Sequence, residues 1–407
     1  MSISLQALKD RNSSRLFAAQ LISQACDKMM TVGLVWVLIQ NYSAILIPWF
    51  LGVAALPHLL LSWSSARWMM KWGPLKTVIW TDIFRGLLFV SLCLLWKSIS
   101  AEHGVVVLFI FVFISNLAGA LFNPAILTLP VFLPDQSLLQ QTTALIDSCF
   151  SFGNIIGPLL STALYPVVGL PGLFLFNGLS YLFAAILEMQ IQVVETPAPE
   201  AGSAKITAVK PRGMSQLLRA DSLLSFMLGG FLAINIFLGP LMVFLPMFAK
   251  AQYRGSIGTL ASLEMAIAVG MVLGGMALTV VRLDSQPGAK KGVKIATSMM
   301  VVAVSYVAFA LSSEAWVGCV VLLILGFALS LINILCLNLF QSRPKPDEVP
   351  TVMSLVNLIS TASLPFSMII VGYLVEKIDT RSLALSFSGI LAVITLGVVS
   401  NRELRRQ

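Results

Sequence analysis

Apolar runs long enough to cross a bilayer follow one another along almost the whole chain, separated by short polar joints. A spanning helix takes about 20 predominantly apolar residues, so runs of 18 or more with few charges are candidate spans. Twelve are present, at roughly 16–40, 44–66, 77–97, 104–133, 139–167, 171–193, 221–249, 255–281, 293–313, 315–342, 349–375 and 381–400. Several exceed 25 residues, which predicts tilt, kinks or a buried turn within them. Pro57, Pro124, Pro158, Pro240, Pro246 and Pro365 fall inside spans, where neighbouring helices re-satisfy the carbonyls that a proline frees. The longest polar stretch, Glu195 to Gln216, contains Thr196-Pro-Ala-Pro-Glu-Ala-Gly-Ser and has little to bury. It reads as a flexible linker. The expected organisation is an N-terminal six-helix bundle (1–194), a cytoplasmic linker (195–219) and a C-terminal six-helix bundle (220–407).

Composition sharpens this picture. The chain is 57% hydrophobic and 11% charged, against about 45–50% and 25% in soluble domains. Soluble enzymes, nucleic-acid binders and secreted disulfide scaffolds are excluded, and an all-α polytopic membrane protein remains. The net charge of +8 is explained by where it sits. Basic residues concentrate in alternate joints: 19 of 26 fall on one side, five on the other, and Lys28 and Arg85 lie within spans. That asymmetry places both termini in the cytoplasm, and the positive charge is a topology signal instead of a nucleic-acid patch. The polar start, Met1 to Arg15, predicts no cleavable signal ahead of the first span. Cys26, Cys93, Cys149, Cys319 and Cys336 lie in apolar runs without CxxC spacing and read as small hydrophobes. Trp49, Trp63, Trp72, Trp96 and Trp316, near span ends, fit interfacial belts.

Local motifs add a resemblance. After span 2 comes Arg67-Trp-Met-Met-Lys71-Trp-Gly73-Pro-Leu-Lys76, with Asp82 and Arg85 following in span 3. This is similar to the Gly-Asp-Arg-x-Gly-Arg-Arg loop of the major facilitator superfamily: Lys71, Gly73 and Lys76 match, and Met70 stands where an acid is expected. Gly153-Asn-Ile-Ile-Gly157-Pro158-Leu-Leu-Ser161 in span 5 resembles the Gly-x-x-x-Gly-Pro-x-x-Gly motif of exporters, with Ser161 in place of the last glycine. Physically, small residues four apart let helices approach closely and a proline kinks, so a plain packing face is an equal reading. Gln20-Leu-Ile-Ser-Gln-Ala-Cys-Asp27 and Ala120-Leu-Phe-Asn-Pro124-Ala125 look like segments of the drug- and siderophore-exporter branch. Gly270-Met-Val-Leu-Gly-Gly275 after Glu264, Leu339-Phe-Gln341 through Pro346, Ser354-Leu355 and Gly372-Tyr-Leu-Val-Glu-Lys-Ile378 resemble macrolide-efflux proteins. The similarity runs from about 12 to 400. It implies two pseudo-symmetric six-helix bundles, a bacterial inner-membrane setting and a monomer among membrane lipids.

Ionisable residues at membrane depth cost about 2.5–3.5 kcal/mol each on insertion scales, so each calls for a role. Asp27 lies near the middle of span 1, Glu264 in span 8 and Asp147 in span 5. These three are the candidates for proton coupling or for contact with a cationic substrate group. The structural alternative is a fixed pair or an inter-helix lock. Asp82 and Arg85, at i,i+3 spacing, read as a local pair, and Glu188 as a solvated or snorkelling residue. Asn123, Asn235, Asn338 and Asn357, together with Asn116 and Asn333, need hydrogen-bond partners in the membrane. The first four are candidates to line a cavity, with helix–helix contacts as the alternative. Trp36, Phe122 and Phe237 are candidate apolar walls, and His58 suits a helix-packing hydrogen bond.

No G-x-x-x-x-G-K-[ST] loop occurs, so ATP is not bound in that manner. No cluster of His, Cys and carboxylate at ligand spacing predicts a metal site, and no cofactor is expected. A membrane-embedded transferase is disfavoured, since neither His58 nor His103 has an aspartate neighbour with which to form a His–Asp dyad. The expectation is a secondary active exporter, proton-coupled, of a small amphipathic molecule such as a drug or siderophore, working by alternating access. A lysophospholipid flippase of the same fold is the alternative.

Overall fold

The computed structural model describes residues 6–61, 71–99, 101–194, 221–279, 291–344 and 348–400; the expected linker, Arg67, Met70 and Pro346 lie outside them. Every span forms as helix. We label them α1 (Arg11–Asn41), α2 (Leu46–Leu61), α3 (Pro74–Leu95) and α4 (Ala101–Thr128). A continuous helical stretch, Leu139–Glu188, then contains one residue with non-helical backbone, Gly169 at φ 61° and ψ −169°, set between Pro166 and Pro171. The stretch is therefore two spans, α5 (139–168) and α6 (170–188). The C-terminal six are α7 (Ser222–Leu238, extended by Leu241–Met247 and a π-helical turn), α8 (Ile257–Thr279), α9 (Lys291–Leu311), α10 (Ala315–Ser342), α11 (Val349–Val375) and α12 (Thr380–Ser400). Among the described residues, ten helical stretches are individually long and apolar enough to cross a membrane. One of them is the 50-residue α5–α6, and the shorter α2 completes the twelve. Helical geometry continues through Pro158, so the backbone break falls at Gly169. A glycine is required there because φ is positive.

Local chemistry explains the helix starts. Asp10 caps α1: its carboxylate accepts from the Ser13 N–H at 2.8 Å. Gly73, at φ +79°, turns the chain into α3, and Pro74 occupies the first turn, where its missing N–H is harmless. That turn gives the matched loop glycine a physical reason. α1 is buried on most sides, including Met29, Met30, Leu34 and Leu38, as expected of a central helix.

The chain divides into two compact units, Met1–Glu200 with Ser256–Ala261 and Ala201–Gly255 with Ser262–Gln407. Their internal packing repeats. In the first, α1 packs on α5 and α6, α2 on α4, and α3 on α4 and α6. In the second, α7 packs on α11, α8 on α10, and α9 on α10 and α12.

In the second unit Asp221 caps α7, accepting from the Leu224 N–H at 3.0 Å, and pairs with the Arg343 guanidinium at 2.7 and 3.1 Å. Partial burial would raise its carboxyl pKa, but the Arg343 hydrogen bonds and the backbone N–H groups outweigh that and hold it below the usual range. A depressed folded-state pKa stabilises above the unfolded value and is lost as pH falls through the folded one. Arg343→Gln is therefore expected to lower stability by about 0.5–1 kcal/mol at neutral pH. The difference from the parent should fade in the acid range below the ordinary carboxylate value, as read by thermal unfolding against pH.

Candidate functional site

The first unit encloses a polar cavity of about 120 Å³ around the middle of α1. Asp27 and Thr31 face it from α1, His58 from α2, Arg85 from α3, Asn116 and Asn123 from α4, and Tyr181 from α6, with Phe89 and Phe111 among the apolar walls. That volume is well below the roughly 300–1,000 Å³ of drug-sized pockets. It suits a few waters or the charged end of a larger molecule.

The side chains form one connected chain of contacts. Tyr181 donates its hydroxyl proton to Asp27 Oδ1 at 2.6 Å. Arg85 donates from Nη1 to the Tyr181 hydroxyl at 3.2 Å, and from Nη2 to Asp82 Oδ1. The Arg85 guanidinium also lies 4.2 Å from the Tyr181 ring centroid and 4.3 Å from that of Phe122, a desolvated cation–π arrangement. Asp82 has no exposed surface and Arg85 only 6%. The guanidinium is thus bonded to Asp82, and Asp27 connects to it only through the Tyr181 hydroxyl. Asp27 has a neutral hydroxyl as its donor. Across the cavity, His58 Nε2 and Asn116 Oδ1 are 3.3 Å apart, and Asn116 donates to the Val112 carbonyl one turn back.

Glycines bring these groups together. A Cβ at Gly86 would lie 3.0 Å from the Gly178 carbonyl oxygen, and a Cβ at Gly178 would lie 3.0 Å from that of Gly86. Because both are glycine, α3 and α6 approach closely, which lets Arg85 reach Tyr181. On the other side of α1, a Cβ at Gly153 would meet Gln24 at 3.2 Å. One at Gly157 would meet Lys28 Cβ at 2.6 Å and the Ala25 oxygen at 2.8 Å. Gly153, Gly157 and the buried Pro158 are thus the packing face of α5 on α1.

The other sequence candidates are dispersed. Asp147 is exposed on α5, Lys71 and Lys76 are exposed around Gly73, and Glu264 is half-buried on α8. Asn235 donates to the Phe231 carbonyl of its own helix at 2.8 Å; Asn338 is half-buried and Asn357 exposed. Phe122 lies beneath Arg85, Trp36 is buried within α1, and Phe237 packs edge-on against Phe387. The expectation for Glu188 is overturned: it is fully buried and accepts from Gln20 Nε2 at 3.0 Å. Its position at the end of a span suggested solvent, but the facing surface of α1 covers it. Tyr181 was missed by sequence reasoning, because one tyrosine in an apolar span carries no signal of its own. The spacing Gly178-Leu-Ser-Tyr181 is the trace it leaves.

Comparison with known proteins agrees with this architecture. The Major Facilitator Superfamily family model matches residues 16–365. The chain is similar to Macrolide efflux protein A of Streptococcus pyogenes, 21% identical over 314 residues covering 75% of each chain. It is likewise similar to the protein of that name from Enterococcus faecalis, 21% identical over 276 residues, 66% of this chain and 82% of that one. Among solved structures, a bacterial homologue of the human lysosomal transporter Spinster, inward-facing and unoccupied, matches with TM-score 0.65 and 15% identity, over 96% of this chain and 94% of that one. A POT family transporter in complex with a thioalcohol-conjugated peptide matches with TM-score 0.71 and 10% identity, over 96% and 95%. With a family model spanning most of its length and twelve helices in two similarly packed units, this chain belongs to the major facilitator superfamily and is a multi-pass membrane transporter of small molecules, not an enzyme.

Proposed function

We propose that the chain is a proton-coupled exporter of a small amphipathic molecule bearing a cationic group, with drug-like or siderophore-like cargo. The observation that carries this reading is Asp27: a carboxylate near the middle of α1, open to a polar cavity and bonded to a neutral hydroxyl, while Arg85 is bonded to Asp82. Either a proton or a cargo cation neutralises it, so the two compete for one site. Competition of that kind couples two flows, because each ligand biases the conformations that face the two sides of the membrane. Alternating access by the two six-helix bundles would carry the exchange. The names of the macrolide-efflux relatives support export and an amphipathic cargo. The asymmetry of the basic residues supports cytoplasmic termini in a bacterial inner membrane, and the small cavity supports binding of a cargo's charged end.

The test uses purified protein in proteoliposomes with a pH-sensitive dye, an imposed proton gradient and macrolide or siderophore cargo added in turn. Cargo-dependent proton flux is the expected result. Tyr181→Phe keeps the ring against Arg85 but removes the donor to Asp27. The flux should fall about tenfold, since a hydrogen bond to a charged group is worth about 1.5–3 kcal/mol. No flux with any soluble cargo would defeat the reading. It would favour a lipid flippase, for which the apolar cavity of about 400 Å³ lined by Trp72, Trp80, Phe84, Ile114 and Leu121 is the supporting feature, and labelled lysolipid would then be the cargo to try.

A further inference from the structure

The seam between α1 and α6 carries a second acid that the cavity does not use. The helices run antiparallel, with Asp27 opposite Tyr181 and Gln20 opposite Glu188. The two rungs are seven residues apart on each helix, two turns or about 10 Å. The upper rung opens on the cavity, whereas the lower one is closed: Gln20 and Glu188 both have no exposed surface. Gln20 Nε2 donates to Glu188 Oε1 at 3.0 Å, and Gln24 Nε2 donates to Gln20 Oε1 at 3.4 Å, which orients the amide with its N–H toward the acid. Glu188 Oε2 meets no hydrogen-bond partner among the described residues, nor does Asp82 Oδ2.

The charged groups acting on Glu188 come from α3: Asp82, of like sign, and Arg85, already bonded to Asp82 and Tyr181. α1 offers the neutral amide of Gln20. An ionised Glu188 would be an enclosed charge with one neutral donor and a like charge acting on it, an arrangement that burial disfavours. A proton on Oε2 removes that charge. Solvent is near: Met189 and Gln190 are exposed. Just past Glu188 the seam is tied by Arg15 Nη1 on the Gln190 carbonyl at 2.6 Å and by the Gln192 N–H on Asn12 Oδ1 at 3.0 Å.

We propose that Glu188 is a neutral carboxylic acid in this closed seam and serves as a second proton site of the transport cycle, on the cytoplasmic side of Asp27. The proposal rests on the proton-coupled reading above. When the end of the seam opens, Glu188 gives its Oε2 proton to water, leaving carboxylate and hydronium, and closure requires that a proton return. The N-terminal bundle then exchanges one proton at Asp27, in competition with cargo, and one at Glu188, tied to opening of the seam.

Infrared spectroscopy of the purified protein tests the first half. The carbonyl stretch of a protonated carboxylic acid should be present in the parent, persist in Asp27→Asn and disappear in Glu188→Gln. The same band should shift in Gln20→Met, which removes the donor to Oε1 and serves in its place if Glu188→Gln does not fold. In proteoliposomes, Glu188→Gln should move roughly half as many protons per cargo as the parent, one of two coupled sites being gone. A band indifferent to both substitutions, or an unchanged proton-to-cargo ratio in Glu188→Gln, overturns the proposal. Absence of any cargo-dependent proton flux in the parent is a different result: it removes the coupling reading itself.

Discussion

Replacing Asp27 with asparagine abolishes cargo-dependent proton flux, a fall of at least about a hundredfold, or roughly 2.7 kcal/mol at 1.36 kcal/mol per tenfold. The reasoning runs from the contacts. Asparagine keeps the size of the side chain and an oxygen to accept from Tyr181 at the 2.6 Å position, so α1, α3 and α6 keep their packing. It neither takes up nor releases a proton, and it offers no charge to a cation. Coupling is lost while the fold survives, and thermal unfolding of the variant should match the parent. Asp82→Asn supplies the contrast. Asp82 is the carboxylate bonded to Arg85 inside the bundle, and removing one partner of a buried pair costs about 3–5 kcal/mol. That variant should lose stability first and flux only in consequence. If Asp27→Asn retained coupled flux, or unfolded as readily as Asp82→Asn, Asp27 would be a structural group and the proposed mechanism would fail.

The second large effect lies in the other unit. Gly270→Ala and Gly326→Ala are each expected to destabilise by about 3 kcal/mol, at the upper end of the usual overpacking range. A Cβ on Gly270 would run into the Leu323 carbonyl oxygen, and one on Gly326 into the Ile267 carbonyl oxygen. A side chain in the way turns to another rotamer, but a helix carbonyl is fixed by its own hydrogen bond, so α8 and α10 must separate. Lost apposition forfeits van der Waals contact along the whole crossing, the main attraction between helices in lipid. Gly229→Ala is the control, since nothing lies within 4 Å of a Cβ there. Unfolding midpoints in detergent should drop by roughly 10 °C for the first two variants and stay put for the third. Equal midpoints for all three would mean that the close α8–α10 crossing contributes nothing.

The chain's sequence by itself determined how many helices there are and where they lie. Hydropathy is a local property: a residue run either satisfies its own backbone in lipid as a helix or does not span. The turn at Gly73 and the caps at Asp10 and Asp221 belong to the same local class, as does the Gly169 break between two prolines. The motifs that carried the family resemblance were legible for a related reason. Gly153, Gly157 and Gly270 stand where helices pack closely, and at Gly157 and Gly270 a Cβ would run into a backbone oxygen of the facing helix.

What only the tertiary structure decided is which polar groups meet. Tyr181 is 154 residues from Asp27 and Glu188 is 168 from Gln20. No helical period links residues that far apart, so a charge at membrane depth such as Asp27 marks itself but not its partner. Asp82 and Arg85 were visible as a pair because three residues along a helix is a local relation; that Arg85 also reaches Tyr181 depends on the Gly86–Gly178 crossing. Glu188 was misread for the same reason. Exposure at a span end is set by the facing helix, and α1 covers this acid with Gln20. Spans follow from the solvent each residue tolerates, whereas the charge cluster follows from which helix faces can close on one another, and that is fixed only when the bundle packs.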